Sequence, residues 1–294
     1  MDLLVKTKEL CRLYKIKPSR SKGQNFLIDE TIYEAVIRAA DLKKTDQVLE
    51  VGPGLGFLTA RLAQAAGQVA AVELDDQLAA FLQTGLKAQA VDNITIINQD
   101  VLKLTWSDLP FEAKADHPGS IGQARPYKVV ANLPYNISSF FLRQFLSAEW
   151  RPELLVLLLQ KEVAERIVAQ PGEMSLLAVS VQYYAQAEII QTVPAAAFWP
   201  APQVESAIIR IKPYPSGPAF PNPEQEARFF RLVRIGFSAK RKMLKNNLAA
   251  GLDLKSAGLG EALAYKGFDP KIRAEDLSLA DWRQLFAALG SFML

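Results

Sequence analysis

The chain has 294 residues, half of them hydrophobic and 22% charged, with a net charge of +3. That composition supports a folded core and excludes a disordered chain, a collagen-like repeat and a disulfide scaffold. A single cysteine, Cys11, and a single histidine, His117, exclude an internal disulfide, most zinc sites and most imidazole-based acid–base schemes.

The opening run, Met-Asp-Leu-Leu-Val-Lys-Thr-Lys-Glu-Leu, alternates charged and apolar residues and lacks the apolar core of a signal peptide. No apolar run approaches the roughly 20 residues that cross a bilayer, so a cytoplasmic protein with no membrane partner is expected. From about residue 45, β-branched runs alternate with helical stretches. The pattern predicts strands over 47–51, 68–73, 94–98, 128–132 and 154–159, and helices over 57–66, 77–89 and 138–147. Such alternation is that of a doubly wound α/β sheet. Residues 113–126, rich in Gly, Ala and Pro and holding His117, read as a mobile surface loop. A helix over 175–185 precedes strands over 187–193 and 206–212. Five prolines from Pro213 to Pro223 then mark a linker. Beyond it 224–237, 239–250, 260–265 and 278–289 read as helices. The expected organisation is a basic N-terminal segment (1–30), a sheet domain (31–212), the linker (213–223) and a small helical domain (224–294).

Chemistry concentrates at the ends of the predicted strands. The first runs into Glu50-Val51-Gly52-Pro53-Gly54-Leu55-Gly56 and straight on into a helix. Glycines there let backbone amides and a helix N-terminus approach a ligand that a Cβ would exclude. The spacing is Gly-x-Gly-x-Gly, narrower than the Gly-x-Gly-x-x-Gly of a dinucleotide site, and suits a neutral or zwitterionic adenosyl ligand better than a pyrophosphate. Glu73 ends the second strand, where a carboxylate can accept from both ribose hydroxyls. Asp100 follows the third, placed to accept from an adenine amine. Asn132-Leu133-Pro134-Tyr135 ends the fourth. The exocyclic amine of adenine is a poor nucleophile because its lone pair is delocalised into the ring. An Asn carbonyl and a main-chain carbonyl held by a proline can each accept one of its N–H bonds and steer the nitrogen toward a methyl donor. Tyr135 can stack on the extruded base, and no histidine is required.

Five motifs in order carry a resemblance: Gly23-Gln24-Asn25-Phe26-Leu27, the glycine loop, Val72-Glu73-Leu74-Asp75, the Asn132–Tyr135 tetrapeptide, and Phe198-x-Pro200-x-Pro202-x-Val204-x-Ser206. Together they resemble the ribosomal RNA adenine N6,N6-dimethyltransferases, in particular the bacterial small-subunit (KsgA-type) branch, from about Lys17 to Met243. The resemblance implies a Rossmann-like class I methyltransferase sheet with a small C-terminal helical domain, using S-adenosylmethionine and releasing S-adenosylhomocysteine. It implies that the N-terminal segment closes over the cofactor site and that Asn25, Leu27, Gly52, Gly54, Glu73, Asp100 and Asn132 surround the cofactor. Asn132, the Leu133 carbonyl, Pro134 and Tyr135 would hold the target amine, with Phe198 on the other face of the base. Two neighbouring adenosines in a hairpin near the 3′ end of 16S rRNA are the implied target, in ribosome biogenesis, by a monomer without metal.

RNA contact is expected from the basic ends. Residues 1–24 hold seven basic and two acidic side chains, 25–209 thirteen and 21, and 210–294 fourteen and eight. Arg228, Arg231 and Arg234 follow one another at helical spacing, and Lys240, Arg241, Lys242 and Lys245 come soon after. Arg20 and Lys22, ahead of Asn25, form a second patch. Such stripes neutralise phosphates and position the RNA, leaving target choice to its shape. Three other readings compete: methylation of large-subunit (23S) rRNA adenine, of the antibiotic-resistance type; an NAD-dependent dehydrogenase; and an RNA-binding assembly factor without catalysis. The dehydrogenase lacks a proton-relay residue in a suitable place. An intact tetrapeptide argues against the assembly factor.

Overall fold

The structure, a computed structural model, describes residues 2–19, 23–89, 91–111, 126–217, 220, 222–253, 259–260, 263–264 and 267–289. His117 and nearly all of the expected 113–126 loop lie outside them, as does half of the expected 260–265 helix. The elements up to the glycine loop are α1 (Leu3–Leu13), β1 (Phe26–Leu27), α2 (Glu30–Ala40) and β2 (Gln47–Val51). Next come α3 (Phe57–Ala65), β3 (Gln68–Glu73), α4 (Asp76–Gln89), β4 (Ile94–Asn98), β5 (Tyr127–Asn132), α5 (Ser138–Ser147) and β6 (Leu154–Gln160). The remainder are α6 (Lys161–Ile167), α7 (Leu176–Gln182), β7 (Ala185–Val193), β8 (Phe198–Trp199), β9 (Ser206–Pro213), α8 (Pro223–Gly236), α9 (Leu244–Leu252) and α10 (Leu279–Leu289).

Seven strands form one sheet in the order β4-β3-β2-β5-β6-β9-β7. Strands β4, β3, β2, β5 and β6 pair in parallel, and β9 pairs antiparallel with β6. Leu155 to Leu159 are each at most 1% exposed, as an apolar run covered on both faces must be. The register sets Val51 beside Val72 and Ala131, Glu73 beside Asn98, and Asn132 beside Leu158. Gly52, Glu73 and Asn132 therefore emerge at one end of the sheet, where open parallel sheets bind ligands.

The opposite end of β5 is anchored. Lys128 is 7% exposed, and its Nζ donates to the Asp41 carbonyl at 2.8 Å and the Ala40 carbonyl at 3.3 Å while pairing with Asp46 Oδ2 at 2.8 Å. This buried cation satisfies carbonyls at the end of α2, which the αL residue Asp41 terminates. At its start α2 is capped by Asp29, whose Oδ1 accepts from the Thr31 amide. Asp2 likewise caps α1, which buries Thr7 and Cys11 and packs Leu3 and Leu10 on the core.

By backbone proximity the chain divides into two units, residues 1–164 with 188–213, and 165–187 with 214–294. The sequence predicts a single break at 213–223, whereas backbone proximity groups 165–187 with the C-terminal residues. The reason lies in aromatic packing: Tyr183 stacks on Phe229 with ring centroids 5.2 Å apart and meets Phe230 at 4.9 Å. Main-chain amides of Gly172 and Met174 also donate to the Glu275 carbonyl. A second difference concerns 239–250, expected as one helix. Asn247 Nδ2 donates to the Gly236 and Ala239 carbonyls, satisfying the end of α8 from the side, and α9 begins only at Leu244. Among the described residues no helix is long and apolar enough to cross a membrane.

Candidate active site

A cavity in the first unit opens at the ligand-binding end of the sheet. Its wall includes Asn25, Leu27, Gly52, Gly54, Glu73, Asp100 and Asn132, every residue expected around a cofactor, together with Pro134. Gly52 and Gly54 adopt φ of +68° and +57°, a conformation that strains residues bearing a Cβ. A Cβ on Gly54 would also stand 3.2 Å from the Phe26 ring.

Glu73 is 6% exposed, and its carboxylate accepts from the Gly54 amide at 3.1 Å and the Asp75 amide at 2.9 Å. Burial raises its pKa and these amides oppose the rise. A carboxylate has about four acceptor positions, so two remain for a ligand's vicinal hydroxyls. Asp100 caps the short turn that follows it by accepting from the Leu102 amide at 3.0 Å, leaving its second oxygen for the cavity.

Asn132 ends β5, with its Nδ2 donating to the Asn25 carbonyl at 3.3 Å. That bond turns the amide so that Oδ1 faces the other way, free to accept. The segment before β1 is in turn held against the tip: a Cβ on Gly23 would lie 3.4 Å from Pro134 Cβ. Tyr33 hydroxyl donates to the Leu27 carbonyl at 2.9 Å and fixes β1 over the cavity.

Three expected residues lie off the cavity wall. Leu133 is 1% exposed, with its amide donating to the Leu158 carbonyl. Tyr135 is half-buried and its hydroxyl meets Ser206 Oγ at 2.8 Å. Phe198 is 3% exposed, pairs with Leu27 across the β1–β8 ladder and packs in the core. Short strands that exist only by pairing with each other are invisible to local pattern, and that pairing decides where Phe198 points.

Among the other residues of the cavity wall is Glu50, to which the sequence reading gives no role. Glu50 is 1% exposed within β2, and its Oε2 has no hydrogen-bond partner among the described residues. Burial, with the Glu73 charge adding and the Thr59 hydroxyl opposing, pushes it up to about 8. An acid inside a fully buried strand was the available signal.

The basic residues belong to the second unit. Arg231 and Arg234 are exposed on α8, Lys240, Arg241 and Lys242 are exposed in the α8–α9 turn, and Arg228 and Lys245 are half-buried. Lys240 pairs with Glu275 at 3.7 Å. Arg20 and Lys22 lie outside the described residues.

Comparison with known proteins agrees with this geometry. The family model described as ribosomal RNA adenine dimethylase matches residues 16–290. Ribosomal RNA small subunit methyltransferase A of Dehalococcoides mccartyi strain 195 is 44% identical over 284 residues, 97% of this chain and 92% of its own. The protein of that name from Lactiplantibacillus plantarum is 38% identical over 290 residues, 97% and 94% of the two chains. Among solved structures, a dimethyladenosine transferase from Plasmodium falciparum aligns with TM-score 0.74 and 24% identity over 91% of this chain and 98% of its own. The 23S rRNA methyltransferase ErmE aligns with TM-score 0.68 and 27% identity over 90% and 100%. The sheet is thus that of the class I methyltransferases, and the chain belongs to the ribosomal RNA adenine dimethylase family.

Proposed function

We propose that this protein transfers methyl groups from S-adenosylmethionine to N6 of two neighbouring adenosines in small-subunit (16S) rRNA. One observation carries the reading: the Asn132 amide, fixed by the Asn25 carbonyl, presents its oxygen beside a cavity lined by buried carboxylates. When bound, the donor supplies an electrophilic methyl on a sulfonium. Glu73 accepts from the ribose hydroxyls and Asp100 from the adenine amine, while Glu50 offers negative charge to the cationic methionine end. Asn132 Oδ1 and the Leu133 carbonyl each accept an N–H of the target amine, localising the nitrogen lone pair. Tyr135 stacks on the extruded base, offsetting part of the few kcal/mol that extrusion costs. A second round requires the monomethylated base to rotate so that its remaining N–H finds an acceptor.

The small-subunit target is favoured over the large-subunit one because relatives 37–44% identical share the small-subunit name, while ErmE is 27% identical. Incubating the protein with radiolabelled donor and purified small or large subunits tests this. Dimethyladenosine in 16S rRNA is the expected product; label on the large subunit alone would overturn the reading. Reversing charge at Arg234 and Lys242 should raise KM for the subunit and flatten its salt dependence, each lost phosphate contact removing about 0.9 from the log–log slope on duplex. Donor affinity measured calorimetrically should stay unchanged; its collapse would remove these residues from the RNA surface.

A further inference from the structure

The family motif Phe198-x-Pro200-x-Pro202-x-Val204-x-Ser206 ends on a serine to which nothing above gives a task. We propose that Ser206 is a positioning residue for the target base, acting through the hydroxyl of Tyr135. The inference rests on the reading of Tyr135 as the stacking residue given above.

Topology brings the two together. Parallel strands deliver their last residues to the catalytic edge, whereas β9 runs the other way and starts there. Ser206, the first residue of β9, faces Gln160, the last residue of β6, and β6 lies beside β5 with Leu158 opposite Asn132. A residue 71 positions along the chain thereby reaches Tyr135 with a hydroxyl–hydroxyl distance of 2.8 Å.

Chemistry explains why a serine stands there. Ser206, Ala207, Ile208 and Ile209 are all 0% exposed, and Ser206 alone of the four carries a polar side chain. A buried hydroxyl without a partner is destabilising, so an alanine would suit the packing better unless the hydroxyl were used. Its use is the tether. The Tyr135 carbonyl accepts from Ser138 Oγ at 3.4 Å, so backbone and ring tip are both restrained. With its hydroxyl held, a tyrosine ring has both side-chain dihedrals set before the base arrives, and base stacking no longer bears the entropy of ordering it.

Ser206→Ala, Tyr135→Phe, the double variant and Ser206→Thr test this through kcat and KM for small-subunit dimethylation, S-adenosylhomocysteine affinity and melting temperature. Each of the first two should lower kcat about five- to tenfold, the worth of one hydrogen bond, with KM and donor affinity within about twofold. The double variant should be no slower than the slower single one, and Ser206→Thr should recover most of the rate. Parental kcat in Ser206→Ala, or losses that multiply in the double variant, would overturn the tether. Should Ser206→Ala fail to fold, Tyr135→Phe decides alone, since it cuts the bond from the half-buried side and keeps the ring: parental kcat there ends the proposal. A parent protein that methylates no adenosine would instead overturn the reading of the site, and shows itself before any variant is compared.

Discussion

Asn132→Ala is expected to slow methyl transfer about 10²–10³-fold while S-adenosylhomocysteine binds within about tenfold of the parent affinity. The asymmetry follows from how the side chain is used. Its nitrogen is engaged by the Asn25 carbonyl, a contact within the protein, and its oxygen is reserved for the target amine. Donor binding keeps Glu73, Asp100 and the glycine loop, none of which depends on that amide for its own hydrogen bonds. Asn132→Asp sharpens the test. It restores an acceptor oxygen but can donate nothing to Asn25, so it should lie between the parent and the alanine variant. Single-turnover assays on small subunits give the rates and calorimetry gives the affinities. A fully active Asn132→Ala protein would remove this residue from the chemistry.

The donor-free Glu50→Gln protein should be more stable than its parent in mild alkali and equally stable in acid. In the fold the carboxyl titrates near 8, against 4.5 in the unfolded chain, because burial disfavours its charge. The folded state therefore holds the proton more tightly. The stability this group contributes is complete below pH 4.5 and is lost as pH rises through about 8. Glutamine keeps the shape of the protonated acid and has no proton to lose, so above pH 8 the variant gains on the order of a few kcal/mol over the parent. Melting curves from pH 5 to 9 should diverge upward from a common acid value; parallel curves would refute the buried titration. Donor addition should reverse the order, since a cationic ligand favours ionised Glu50 and finds no charge in the variant.

The parallel strands were legible because each is an apolar run closed by a glycine or polar residue, and four of the five have the expected first residue. Gly52, Glu73, Asp100 and Asn132 were legible with them, since strand ends fix their place. What pattern alone missed is held by long-range contact. Helix α1 interleaves charges with the apolar residues it buries, and β1 and β8 are two residues each, existing only because Phe26 faces Trp199 and Leu27 faces Phe198. Asn25 and Leu27 could be named only through family resemblance, because nothing local says that a segment more than 100 residues before Asn132 closes on it. The burial of Phe198 against Leu27 rests on the same long-range pairing.

Strand β5 carries an anchor near one end and the reacting group at the other. Lys128 and Asn132 are four residues apart, about 13 Å along an extended chain. The cation at the near end cannot slide without stranding two carbonyls and a carboxylate, so the amide at the far end is aimed from a fixed mount. Stability and chemistry are thereby separated along a single strand. Damage at Lys128 should register in melting temperature, damage at Asn132 in rate, and the sheet between them can accumulate conservative apolar exchanges without disturbing either.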